Sequence, residues 1–185
     1  MWSWHMLKRF FNSFLVLLTL LTLIQVRVPE VLAVENVAHK LLPGAVKIGE
    51  GHYSYLGWSI YDATLYGHSR PVGYDKPFAL TLHYHLSAKG QDIAKRSIEG
   101  IRQQGFRDEF RLATWYRQMR RIFPDVRKGT RITGVYLPRV GVRFFHGNKE
   151  IGSIQDRQFS TLFFNIWLSE KTSLKALRQK LLGMR

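Results

Sequence analysis

The stretch Gly57-Trp58-Ser59-Ile60-Tyr61-Asp62-Ala63-Thr64-Leu65-Tyr66-Gly67 limits the fold more than any other part of the chain. Aromatic and β-branched residues dominate it and a glycine bounds each end, which predicts a long central strand buried on both faces. Side chains on a strand alternate, so Trp58, Ile60, Asp62, Thr64 and Tyr66 share one face. Ser59, Tyr61, Ala63 and Leu65 share the other. Asp62 and Thr64 sit among large apolar neighbours, where a polar group needs a partner. The strand is either a core strand with satisfied polar groups or the floor of a ligand cleft.

The segment before this strand divides in two. Met1 to Arg9 carries Lys8 and Arg9, and Phe10 to Ile24 is almost wholly apolar. Val31-Leu32-Ala33 then supplies residues suited to the −3 and −1 positions of a cleavage site. This layout predicts a secretory signal peptide over residues 1–33, with export to a bacterial periplasm, or its retention as an N-terminal membrane anchor. The apolar run is short for a membrane span, which takes about 20 residues. The chain has no cysteine, so a lipid-anchored lipoprotein and a disulfide framework are both excluded.

Residues 34–185 then form one domain, long enough to bury a substantial core. Lys8, Arg9, Arg27 and the single acid Glu30 leave with the leader, which takes the formal charge from +15 to +13. A charge of that size points to an anionic partner or surface. Outside the cytoplasm, nucleic acid is not expected; anionic lipid headgroups or acidic small molecules fit better.

Beyond the central strand the pattern is that of an α+β domain. Ala45–Tyr55 reads as a strand bent at Gly49 and Gly51, and Phe78–Leu86 as a half-buried strand with strict alternation. His83 and His85 share its polar face, but without a third ligand nearby they do not make a metal site, and no metal or cofactor is expected. Ser87–Gln104 and Asp108–Phe123 have helical spacing, the first capped by Ser87 and the second ended by Pro124. Arg117, Arg120, Arg121, Arg127 and Lys128 gather near that end. Thr130–Leu137 is a strand, and Val142–Phe145 with Glu150–Ile154 a hairpin. A helix capped by Asp156 carries Phe159, Leu162, Phe163, Ile166 and Trp167 and is apolar nearly all round, hence central. A last helix, capped by Thr172 or Ser173, ends at Gly183. Strands, two helices, strands, two helices imply an antiparallel sheet with helices gathered on one side.

No phosphate-binding loop, dinucleotide fingerprint, Gly-x-Ser-x-Gly elbow or His-Glu-x-x-His motif is present, and a cysteine nucleophile is impossible. The residues alone give no support for catalysis.

Several stretches together resemble the chalcone isomerase-like family, in particular its bacterial exported branch. They are the central strand, Ile122-Phe123-Pro124-Asp125-Val126 with Gly129, Ile151-Gly152 leading to Phe159, Phe163-Phe164-Asn165-Ile166-Trp167-Leu168, and Leu181-Leu182-Gly183. The resemblance implies an open antiparallel sheet backed by helices. It implies one of two activities: ring closure of a chalcone, or non-catalytic binding of a fatty acid in the same cleft. By position, the family's catalytic arginine falls at Lys47, its strand threonine near Ser59 and its late serine or threonine near Ser160. Its helical tyrosine and asparagine have no counterpart in Ser87–Gly105. The resemblance therefore implies a monomeric, non-catalytic binder of a small apolar or amphiphilic molecule. Lys47, Trp58, Ile60, Phe159 and Phe163 would line its cleft, and Lys47 or the basic cluster would meet an anionic head. An isomerase or lyase acting on an enone, with Lys47 as electrophile and Ser59 or Tyr61 assisting, stays open. So does an envelope interaction protein that takes no ligand.

Overall fold

A computed structural model describes residues 37–184 apart from His39 and Pro71. The leader expected over residues 1–33 lies outside them. Six strands form one antiparallel sheet in sequence order. They are β1 (Val46–Tyr55), β2 (Trp58–Gly67), β3 (Phe78–Tyr84), β4 (Arg131–Leu137), β5 (Gly141–His146) and β6 (Lys149–Ile154). Helices α1 (Gly90–Gln103) and α2 (Glu109–Ile122) are inserted between β3 and β4, and α3 (Arg157–Leu168) and α4 (Lys175–Leu181) follow β6. The α+β architecture expected from the sequence, an open antiparallel sheet with packed helices, is the one observed. Among the described residues no helix is long and apolar enough to cross a membrane.

The first hairpin fixes the register on which everything else depends. Leu56 and Gly57 both have positive φ, 48° and 81°, the geometry of a two-residue turn that matches strand twist. Pairing then runs Tyr55 opposite Trp58 and Ser54 opposite Ser59, shifts by one residue, and continues as Tyr53 opposite Tyr61 and His52 opposite Asp62. A second shift lies between Lys47 and Gly49. The predicted bend at Gly49 and Gly51 has a further cause. A Cβ at Gly49 would run into the carbonyl oxygens of Lys180 and Leu181, and one at Gly51 into the Leu177 side chain. These glycines let α4 lie directly on β1.

The central strand is not equally buried on its two faces. Tyr61, Ala63 and Leu65 are buried beneath the helices, whereas Asp62, Thr64 and Tyr66 are half-buried on the outer face. Conversely, β3 does not follow the expected half-buried alternation. Ala79 and Thr81, which would face solvent, are buried. The reason is a second small core on the outer face, where Val37, Leu42 and Ala45 pack with Ala79, Val135 and Phe145. The segment before β1 therefore covers the middle of the sheet on the side away from the helices.

Caps decide where helices begin. Asp108 and Asp156 accept from the Arg111 and Phe159 backbone N–H groups, as their N-terminal positions predict. The start expected at Ser87 does not occur: Ala88 is drawn into a β-bridge with Val126, and α1 begins at Gly90, whose N–H donates to Asp125 Oδ1 at 2.9 Å. Its cap thus comes from a residue 35 positions away, out of reach of local pattern. Likewise α4 starts one or two residues later than Ser173 or Thr172 would place it. The Thr172 hydroxyl instead links Leu174 N–H to the Ile166 carbonyl.

The core is unusually aromatic. Trp115, Phe159, Phe163, Phe164, Trp167, Phe144 and Phe123 interlock between sheet and helices. Such edge-to-face pairs add about 0.5–1.5 kcal/mol each beyond burial.

Candidate functional site

Two places in this fold bring chemically distinctive side chains together. The first is the inner layer between sheet and helices. At the β1–β2 end of it Tyr53, Tyr61 and Tyr84 meet, with ring centroids 5.2 Å and 6.0 Å apart for the two successive pairs. The Trp167 indole N–H, from the end of α3, donates to the Tyr61 hydroxyl oxygen at 3.0 Å. That hydroxyl accepts here and keeps its own proton to donate. Burial pushes the Tyr61 hydroxyl well above the ordinary tyrosine range, against the opposing pull of the Trp167 hydrogen bond, and burial does the same to Tyr84. Both are neutral at any physiological pH, able to hydrogen-bond but not to act as phenolates. Among the described residues no charged side chain is fully buried. Side chains fill this layer. Two surface hollows lie elsewhere: one of about 220 Å³ beside Val140, Arg143 and Glu150, and a shallow one of about 560 Å³ beside Arg111, Asp156 and Gln158.

The residues singled out from the sequence are distributed around this layer rather than gathered in it. Phe159 and Phe163 are buried in its centre. Ile60 packs at its margin. Trp58 is 75% exposed beside the β1–β2 turn, and Ser59 is exposed there too. Lys47 pairs with Tyr66 across the strands, which puts it on the outer face, and its ammonium lies 3.1 Å from Glu50. Ser160 is buried on α3, its hydroxyl donating to the Arg157 carbonyl. Lys47, Ser59, Tyr61 and Ser160 thus occupy four separate environments. The basic residues Arg117, Arg120, Arg121, Arg127 and Lys128 are all exposed around the C-terminal end of α2.

The second place is the uncovered part of the outer face. Register sets Asp62 between His52 on β1 and His83 on β3. His85, just beyond β3, is held against β2 by its backbone N–H, which donates to the Ile60 carbonyl. The Asp62 carboxylate meets His52 Nδ1 through one oxygen and His85 Nε2 through the other, each at 2.7 Å. Burial raises the Asp62 pKa, but the two histidine hydrogen bonds outweigh it and hold the carboxyl below its usual value. This cluster answers the need for a partner at Asp62. The pairing of His52 with Asp62 is not legible in the sequence: a two-residue turn at Leu56-Gly57 alone would set His52 opposite Tyr61, and the one-residue shift moves it to Asp62.

A profile of the chalcone isomerase-like family matches residues 49–183, from Gly49, where α4 lies on β1, to Gly183 just after α4. The chain belongs to the chalcone isomerase-like family. Its fold is shared by a fatty-acid binding protein of Arabidopsis thaliana, with a TM-score of 0.59 over 76% of this chain and 87% of that one, at 12% sequence identity. None of the curated protein sequences compared with the chain matches it.

Proposed function

We propose that this chalcone isomerase-like protein is a non-catalytic binder of an amphiphile with a single acyl-like chain, held in the layer between sheet and helices. One observation carries the reading: the layer is lined by aromatic and aliphatic side chains, has no fully buried charged side chain, and sets three tyrosines, Tyr53, Tyr61 and Tyr84, side by side at its β1–β2 end. A mostly apolar site with a few polar groups at one position suits a molecule with a long apolar body and one polar head. Neutral tyrosines donate hydrogen bonds to a carboxylate without the desolvation cost of burying a cation beside it. The Arabidopsis protein with the same fold, a fatty-acid binding protein, supports this reading. The ligand enters by displacing side chains, with Phe163 and Trp167 swinging from the Tyr61 end. Lys47, on the outer face and paired with Glu50, has no part in holding the head. Export to a periplasm is part of the same proposal, with the exposed arginines near the end of α2 meeting anionic lipid headgroups.

Calorimetric titration with saturated fatty acids of increasing length tests it. Binding should carry a negative heat-capacity change, the signature of apolar burial. Affinity should rise with each added methylene up to a limit, by roughly 0.8 kcal/mol per buried CH₂. Tyr61→Phe should weaken the acid, by about 1 kcal/mol for a lost hydrogen bond, more than it weakens the matching alcohol. Affinity that does not respond to chain length would rule out the inner layer as the site.

A further inference from the structure

We infer that His52, Asp62 and His85 form a binding site for a divalent transition-metal ion of the zinc or copper class on the outer face of the sheet. Three strands contribute: His52 comes from β1, Asp62 from β2 and His85 from the residue after β3. One ligand atom from each residue, a ring nitrogen or a carboxylate oxygen, lies within 4.8 Å of the other two. Donors bound to a tetrahedral ion at about 2.0–2.2 Å sit roughly 3.4 Å from one another, so small side-chain rotations bring these three onto one ion. Both histidines already turn a nitrogen towards the carboxylate. A metal takes the place of the protons now shared in those two hydrogen bonds.

The setting favours an ion over a purely structural contact. The side chains of His52 and Asp62 are 45% and 47% exposed and that of His85 is 24% exposed, so an ion reaches them from solvent. The backbone that carries them is fixed by the sheet, so little ordering is needed on binding. Two imidazoles and one carboxylate are borderline ligands that suit zinc, copper or nickel and not calcium or magnesium. Three protein ligands leave at least one position for water or an exogenous donor. His83, its ring centroid 5.2 Å from that of His85, is not counted among the ligands. The site lies on the opposite face of the sheet from the inner layer, so it stands or falls independently of ligand binding there.

The test is zinc titration of the full chain against a competing chelator at pH 7.5, with cobalt(II) absorption as a second probe. One equivalent should bind, and cobalt should give visible bands of four- or five-coordinate geometry. His52→Ala, Asp62→Asn and His85→Ala should each weaken zinc by at least about tenfold, the lower end of the loss seen when even an outer partner of a metal ligand is removed. His68→Ala, at an exposed position just after β2 and outside the cluster, should leave affinity unchanged. Zinc should raise the melting temperature of the parent and not of His85→Ala, which also shows that the variant is folded. Zinc affinity equal in the parent and in a variant lacking all three groups would overturn the assignment, as would the six-coordinate cobalt spectrum of the free aqua ion.

Discussion

Replacing Phe164 by alanine is expected to cost about 3–5 kcal/mol of stability, the largest loss from any single truncation considered. Phe164 is fully buried on α3. Its ring meets Phe78 edge-on at 4.9 Å, Tyr136 at 5.9 Å and Phe163 at 5.4 Å. The sheet makes room for it: β4 carries a glycine at position 134, where a Cβ would stand 3.2 Å from the tip of the ring. Ring and glycine are a matched pair, so the space left by alanine has no flexible neighbour ready to fill it. In a protein of this size each kcal/mol lowers the melting temperature by roughly 2–4 °C, so the variant should melt about 10 °C lower. Chemical denaturation of the two proteins checks the figure. A loss below about 1 kcal/mol would mean that α3 is not seated against β3 and β4 as described.

The second large effect falls on Asp156. One carboxylate oxygen accepts the Phe159 N–H at 3.0 Å, capping α3. The other accepts the Trp115 indole N–H at 3.0 Å and meets the Arg111 guanidinium at 3.1 Å. Asp156→Ala removes a cap, about 1 kcal/mol, and strands the N–H of a tryptophan that is 2% exposed, about 1–3 kcal/mol more. The sum is about 2–4 kcal/mol. Asp156→Asn keeps one acceptor oxygen and puts an NH2 donor where the other stood, so it should lose less than alanine but not regain both the cap and the Trp115 contact. The group also sets a pH dependence. Burial pushes the Asp156 carboxyl up, but the Phe159, Trp115 and Arg111 interactions together bring it below the ordinary aspartate value. A depressed folded pKa means that the stabilisation is complete above the unfolded pKa, near 3.9. It is lost as pH falls through the lower, folded value. The stability gap between the parent and Asp156→Asn should therefore narrow only below about pH 4; a gap that closes already between pH 7 and 5 would contradict the assignment.

Much of this fold is legible in the sequence because its signals are local and agree with one another. The alternation from Trp58 to Tyr66, the stripes on α2 and α3, the caps at Asp108 and Asp156, and Pro124 each specify an element without tertiary help. What escapes is non-local. Asp125 caps α1 from 35 residues away. Val37, Leu42 and Ala45 bury the outer side of β3, so a strand that alternates cleanly in sequence is covered on both faces. The glycines of β1 reflect the approach of α4, which no pattern within β1 reveals.

The candidate site follows the same rule. Phe159 and Phe163 are central because a helix apolar all round must be buried. Lys47 was placed by resemblance to an arginine, and only the register, with Lys47 opposite Tyr66, shows which face it occupies. The tyrosine cluster depends on the one-residue shift between Tyr53 and Ser54, which sets Tyr53 opposite Tyr61. The same shift brings His52 opposite Asp62. A single irregularity in one hairpin thus builds the polar end of the inner layer and the ligand set of the outer face.

Everything proposed for the inner layer requires that it accept an amphiphile. Native mass spectrometry of the protein purified from cells without delipidation tests it most directly. A bound species with the mass of a fatty acid or a similar single-chain amphiphile is expected, and it should be lost when Phe163→Trp fills the layer. A protein that carries no such species, and takes up none when incubated with excess fatty acid, would contradict it.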